Sequence, residues 1–169
     1  MQTSDGCHEK ILNSDEKERY QRHISLEEIG INGQINLKNS SVLFVGVGGL
    51  GSSAILYSAA AGIGTIGLID NDKIDKSNLQ RQIIHDTTDI GNNKIFSAKT
   101  KIQKLNPNCK IITYLERLNP NNILKIFENF DIICDCSDNF GTRYLVNDAC
   151  IILNKPFIFA SVQGFEGQV

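Results

Sequence analysis

Residues Ser41 to Asp70 read SVLFVGVGGLGSSAILYSAAAGIGTIGLID, and the fold is decided there. The apolar, β-branched run Val42 to Val45 predicts a buried strand, and Gly46, Gly48, Gly49 and Gly51 then crowd together. A small-residue helix over roughly Leu50 to Ala61 is ended by Gly62 and Gly64, and a second apolar run closes on Asp70. Strand, glycine turn, helix and strand make a βαβ unit. Gly46, Gly48 and Gly51 have G-x-G-x-x-G spacing, in which missing side chains permit a sharp turn and let a phosphate approach helix N–H groups. Asp70 stands about twenty residues on, where a carboxylate accepts hydrogen bonds from a ribose. These residues alone point to a nucleotide site, most simply for a dinucleotide such as NAD or FAD. The competing reading is structural: the glycines only allow a helix to pack closely on a strand.

Outward from this unit, elements alternate. At 169 residues and 18.7 kDa the chain suffices for one domain with a sizeable core. Residues 1–13 read as a polar tail, and 14–169 as the folded domain. Ser14 with Asp15, Glu16 and Glu18 predicts a helix from about Asp15 to Arg22, and Gln34 to Asn39 a second short one. Asn71 to Asn93 lacks periodicity and reads as a long excursion, a kind of segment that is often functional. Ile95, Ala98, Ile102 and Leu105 share one helix face that stops at Asn106-Pro107. Lys110 to Leu115 predicts a strand, Pro120 after Asn119 starts a helix to about Glu128, and Asp131 to Asp135 is a short strand. Asn139 to Leu153 and Pro156 to Ser161 read as a helix and a strand. The fold class is therefore α/β, doubly wound, with a mostly parallel sheet and a Rossmann-like βαβ unit.

Composition narrows the setting. A formal net charge of −2 gives no general attraction to nucleic acid or anionic membrane, and every apolar stretch is far shorter than a bilayer span. The expectation is a cytoplasmic protein, or one of the plastid stroma if the gene is organellar. Richness in Ile, Asn and Lys fits an AT-rich genome. Cys7, Cys109, Cys134, Cys136 and Cys150 form no C-x-x-C pair, so a reducing compartment fits better than a disulfide framework. Cys134 and Cys136 alternate on a strand and read as core.

The excursion carries the chemistry. Ser77, Asn78, Leu79, Gln80, Arg81 and Gln82 offer donors beside the end of a parallel strand, and Lys94 adds a cation at the next helix start. Such cations suit a triphosphate, whose charge shifts as phosphate bonds rearrange. Each could equally be a solvated surface charge. Asp138, after the strand ending at Asp135, would face the same crevice and could hold Mg²⁺ against phosphates. It could also simply cap the helix beginning near Asn139.

Together these motifs resemble a known family. Arg19-Tyr20-x-Arg22, Gly46-x-Gly48-Gly49-x-Gly51, Asp70-x-Asp72, Ser77-Asn78-Leu79-x-Arg81-Gln82, Gly91-x-x-Lys94, Asp135-x-Ser137-Asp138-Asn139 with Arg143, and Gly164-Phe165-x-Gly167-Gln168 occur in order. They are similar to the adenylation domain of the ubiquitin-activating-enzyme-like adenylyltransferases (ThiF/MoeB type), most of all to the branch serving molybdopterin synthase. The resemblance runs from about Ser14 to Val169. It implies an ATP-binding adenylation domain in which Gly49 approaches the α-phosphate and Asp70 binds the ribose. Asn78, Arg81 and Lys94 would hold phosphates, and Asp138 would place Mg²⁺ with Asn139 beside it. Arg22 would reach as an arginine finger into the ATP site of the other subunit of a homodimer. The implied reaction joins the C-terminal glycine carboxylate of a small ubiquitin-like sulfur carrier to AMP, releasing pyrophosphate, in molybdenum-cofactor biosynthesis.

Relatives of this type continue beyond the final hairpin, so the sequence reads as lacking the C-terminal part, and Zn²⁺ could be held only by cysteines beyond Val169. Thiamin-pathway and tRNA-thiolation adenylyltransferases are the near alternatives. An NAD-dependent oxidoreductase is the enzyme rival, although no hydride-transfer His or Tyr constellation stands out. A non-catalytic carrier-docking subunit is the third reading, and it would be expected to lack some of Arg22, Arg81, Lys94 and Asp138.

Overall fold

The computed structural model describes residues 11–169. Most of the stretch read as a tail thus lies outside the described residues, but its last part is structured. Leu12 is buried, and Asn13 caps α1 (Ser14–Arg19) in a reciprocal capping box with Glu16. The predicted helix from Asp15 to Arg22 is broken at Tyr20, and α2 (Gln21–Ile24) follows as a separate turn. The cause is tertiary: Tyr20 turns into the core, where Asn106 Nδ2 donates to its hydroxyl at 2.8 Å. Helix α3 (Gly30–Asn39) starts at Gly30, ahead of the expected Gln34. Its buried Gln34 donates to the Ala61 carbonyl and meets His23 Nδ1, which ties these helices to the main domain.

Five parallel strands then form the sheet: β1 (Ser41–Val45), β2 (Thr65–Ile69), β3 (Lys110–Tyr114), β4 (Ile132–Asp135) and β5 (Phe157–Phe159), in the order β3-β2-β1-β4-β5. Parallel pairing requires crossovers, and they are helical. Helices α4 (Gly49–Ala61) and α5 (Lys94–Leu105) cover one face. There Ile55, Ala59, Ile95, Ala98 and Ile102 pack on Val42, Phe44, Ile66 and Leu68. Helices α6 (Ile123–Phe127) and α7 (Phe140–Leu153) cover the other, with Phe127, Val146 and Ala149 packed on Leu43, Val45, Ile69 and Ile133. Burial of each large apolar side chain is worth roughly 1.5–3 kcal/mol, and strands buried on both faces explain the unbroken apolar runs. The doubly wound expectation holds.

Three local expectations are corrected. Pro120 does not start a helix: Asn119 and Asn122 side chains accept from nearby backbone N–H groups in a turn, and α6 begins at Ile123. The strand expected from Pro156 to Ser161 ends at Phe159; β6 (Ser161–Gln163) and β7 (Glu166–Gln168) form a separate antiparallel pair. The excursion 71–93 holds short 3-10 turns at Lys76–Asn78 and Thr87–Asp89 and an antiparallel bridge between Lys73 and Asn93. Among the described residues, no helix is long and apolar enough to cross a membrane.

Candidate nucleotide site

Because the strands run in one direction, the residues that follow each of them gather along one edge of the sheet. Chain order reverses between β1 and β4, and adjacent crossovers leaving on opposite faces open a crevice there. A cleft of about 780 Å³ lies at this edge, lined by Gly46, Gly48, Gly49, Asp70, Arg81 and Asp138 among others.

The glycine turn is built by close approach. Gly46 sits at φ 95°, in the left-handed region, and a Cβ on Gly51 would overlap the Gly46 carbonyl oxygen. Gly51 therefore shapes the turn from behind and is not itself in the lining. Gly48 precedes the first turn of α4, whose opening N–H groups have no intrahelical acceptor and carry the positive end of the helix dipole. This is an anion seat. Asp70 accepts from the Val47 and Asp72 backbone N–H groups, each at 2.8 Å, so its carboxylate is fixed at the cleft edge with lone pairs to spare.

The excursion brings its cations to the same space. Arg81 packs its methylenes beside Gly49, and its Nη1 donates to the Ser77 carbonyl at 3.3 Å. Asn78 lines the cleft, whereas Ser77, Leu79 and Gln80 support the turn behind it. Lys94 is buried, with its ammonium 2.8 Å from Asp72 Oδ2. On the far wall, Asp138 is exposed and Asn139, not Asp138, caps α7: its Oδ1 accepts from Thr142 N–H. The capping alternative for Asp138 is thus corrected, and among the described residues its carboxylate carries no hydrogen bond or ion pair. A free carboxylate in the cleft lining, beside the buried and unpartnered Ser137 hydroxyl, fits the oxygen-rich set that Mg²⁺ prefers.

Arg22 does not join this cleft. It lies exposed on α2, outside the lining of its own chain's site.

Several lining residues were assigned no role from sequence. Glu116, Arg117 and Leu118 follow β3, and Val162 comes from β6; Gln82, already read as a donor of the excursion, approaches Gly48. The signal for the first group was their position directly after a parallel strand. Arg143 is held between the Phe140 and Phe159 rings, 5.5 and 5.1 Å from their centroids, while its guanidinium donates to the Ser137 carbonyl. It thereby braces the loop that carries Asp138. Burial pushes the Cys134 thiol up to about 11 and the Cys136 thiol to about 12, in keeping with packing roles.

A parallel sheet with a glycine turn at a helix N-terminus, two cations and two carboxylates gathered at its switch point has the architecture of a nucleotide-binding α/β domain. The model of the ThiF family matches residues 20–169, and the chain belongs to that family. It is 47% identical over 157 residues to the probable adenylyltransferase/sulfurtransferase MoeZ of Mycobacterium tuberculosis, covering 93% of this chain and 40% of that protein. It is 50% identical over 155 residues to the probable molybdopterin-synthase adenylyltransferase of Porphyra purpurea, covering 92% and 41%. The chain thus spans about two fifths of the length of these curated relatives. Among solved structures, Escherichia coli MccB with AMPCPP and MccA superposes with a TM-score of 0.76 at 33% identity, covering 85% of this chain and 44% of that one.

Proposed function

We propose that this domain binds ATP·Mg²⁺ and adenylates the C-terminal carboxylate of a small ubiquitin-like sulfur carrier, in the pathway that supplies molybdopterin synthase. The observation that carries the reading is the convergence of the α4 N-terminus, Arg81, Lys94 and Asp138 on one cleft. The names of the curated relatives support the reaction class, and the Porphyra relative supports the pathway.

In this reading Asp70 accepts the ribose hydroxyls and the α4 N–H groups beside Gly49 take the α-phosphate. Arg81, Asn78 and Lys94 hold the outer phosphates, and Asp138, with Asn139 next to it, holds Mg²⁺. The ion would neutralise phosphate charge when bound. The incoming carboxylate oxygen bonds to the α-phosphorus, the bond to the bridging oxygen of the β-phosphate breaks, and pyrophosphate leaves. No enzyme nucleophile is needed, so the residues contribute positioning and charge stabilisation. Arg22 acts in trans, from the other subunit of a homodimer onto this cleft, because it lies outside its own.

The test is exchange of labelled pyrophosphate into ATP by the full-length protein, with and without the carrier. Carrier-dependent exchange that collapses in Arg81→Ala supports the reading. No exchange with the cognate carrier, and an Arg81→Ala protein indistinguishable from wild type, would end it.

A further inference from the structure

His85 is only 5% exposed and has no role in the scheme above. Its Nε2 lies 3.4 Å from the Val47 carbonyl, inside the glycine turn, and its Nδ1 lies 2.9 Å from Ser97 Oγ on α5. Ser97 Oγ in turn lies 2.8 Å from Asp89 Oδ2, in the excursion. A chain of polar contacts therefore runs from the excursion through α5 to the phosphate turn.

With a neutral ring, the chain holds too few hydrogens for its contacts. Ser97 has one hydroxyl hydrogen, a neutral imidazole has one N–H, and the Asp89 carboxylate and Val47 carbonyl only accept. If Ser97 donates to Asp89, Nδ1–H must donate to Ser97, and a bare Nε2 then faces the Val47 oxygen. If Nε2–H donates to Val47, Ser97 must donate to Nδ1, and no hydrogen remains between Ser97 and Asp89. Only the imidazolium completes every contact.

The surrounding charges are opposed. Asp89 and Asp70 favour the imidazolium, while burial and Lys94 disfavour it; burial is the largest influence and holds the ring's pKa below its ordinary value. A bound triphosphate brings negative charge to the glycine turn and engages Lys94, the opposing cation. Both changes favour protonation. We infer that His85 is a positioning residue tying the glycine turn to α5, and that nucleotide binding draws a proton from solvent onto its Nε2. This rests on the ATP reading above.

The experiment is calorimetric titration of ATP·Mg²⁺ into the full-length protein in buffers of different ionisation enthalpy, for wild type and His85→Gln. Glutamine spans the same partners with an amide N–H and an oxygen but stays neutral at every pH. The ligand's own protonation cancels in the comparison. Wild type is expected to take up more protons per nucleotide than the variant. Its affinity should gain several-fold over the variant's between about pH 8 and about pH 6, the range bracketing imidazole titration. Equal proton uptake and parallel pH profiles overturn the inference. If the variant does not fold, imidazole ¹⁵N shifts of wild-type His85 decide: an imidazolium on ATP·Mg²⁺ addition sustains it, and a ring neutral in both states refutes it. Failure of wild type to bind ATP·Mg²⁺ rejects the adenylation reading and the inference with it. Binding without the proton difference rejects the inference alone.

Discussion

Lys94 and Asp72 are joined twice: the Lys94 ammonium lies 2.8 Å from Asp72 Oδ2, and the Lys94 backbone N–H donates to the Asp72 carbonyl at 3.1 Å. The lysine side chain is 8% exposed and the aspartate 62%. The cation thus lies in the cleft lining on a partner that water already screens, so in the adenylation reading proposed above a nucleotide would take it over at small cost.

Removing either member should separate storage from use. Lys94→Ala is expected to lower carrier-dependent pyrophosphate exchange by about 100-fold or more, since it deletes charge stabilisation at the reacting phosphates. Asp72→Asn leaves the cation in place and should cost about 1 kcal/mol of folding stability, the upper end for a solvent-screened ion pair, because the aspartate is exposed while the lysine is buried. Exchange kinetics and urea unfolding read the two effects.

The glycine turn should tolerate no side chain at Gly51. A Cβ there meets the Gly46 carbonyl, so Gly51→Ala is expected to lose about 1–3 kcal/mol by overpacking, together with nucleotide affinity. Gly91→Ala serves as the contrast. Gly91 has open space around it but φ 89°, so only the left-handed backbone is penalised, by about 1–2 kcal/mol, and binding should persist. Thermal melts with and without ATP·Mg²⁺ distinguish them.

Stability should form a plateau in pH. Burial lowers the His85 pKa from its ordinary 6.5, so the unfolded chain binds the proton more readily and stability falls as pH drops below about 6.5. The Asp86 backbone N–H, donating to the Asp89 carboxylate, lowers its pKa from 3.8, which adds a further loss below that pH. At the alkaline end burial raises Cys109, Cys134 and Cys150 from 9.0 to about 11, so the unfolded chain ionises first and stability declines above about pH 9. Urea midpoints across this range test the shape. A midpoint that rises on acidification through 6.5 would contradict the neutral burial of His85.

The same raised thiols should be slow to react. Cys109, Cys134, Cys136 and Cys150 have pKa values of about 11 or 12, so little thiolate exists at pH 8. Intact-mass measurement after brief iodoacetamide treatment should show these thiols unmodified in the folded protein. All of them should alkylate in urea.

Much was legible in the chain itself. Gly46 and Gly51 announce their turn because the left-handed backbone at the first and the Gly46 carbonyl crowding the second exclude side chains, and both constraints arise within a few residues. Strand and helix order could be read for a similar reason, since each element must bury a face of its own. The helix ends were less legible. Tyr20 breaks the first helix through a bond to Asn106, and Asn119 and Asn122 displace the helix expected at Pro120 by folding back on nearby backbone.

By itself, then, the sequence determined the alternation of strands and helices, the glycine turn, and the motif order that places the chain among its relatives. Periodicity, glycine geometry and residue spacing are properties of neighbouring residues. Only the tertiary structure decided that Arg81 and Asp138 share a cleft while Arg22 does not, that Asn139 does the capping and leaves Asp138 free, and that His85 spans Val47 and Ser97. Those relations depend on the strand order β3-β2-β1-β4-β5, which brings distant segments to one edge of the sheet. The partner of a buried polar group is chosen through space, by the need to satisfy it once water is gone.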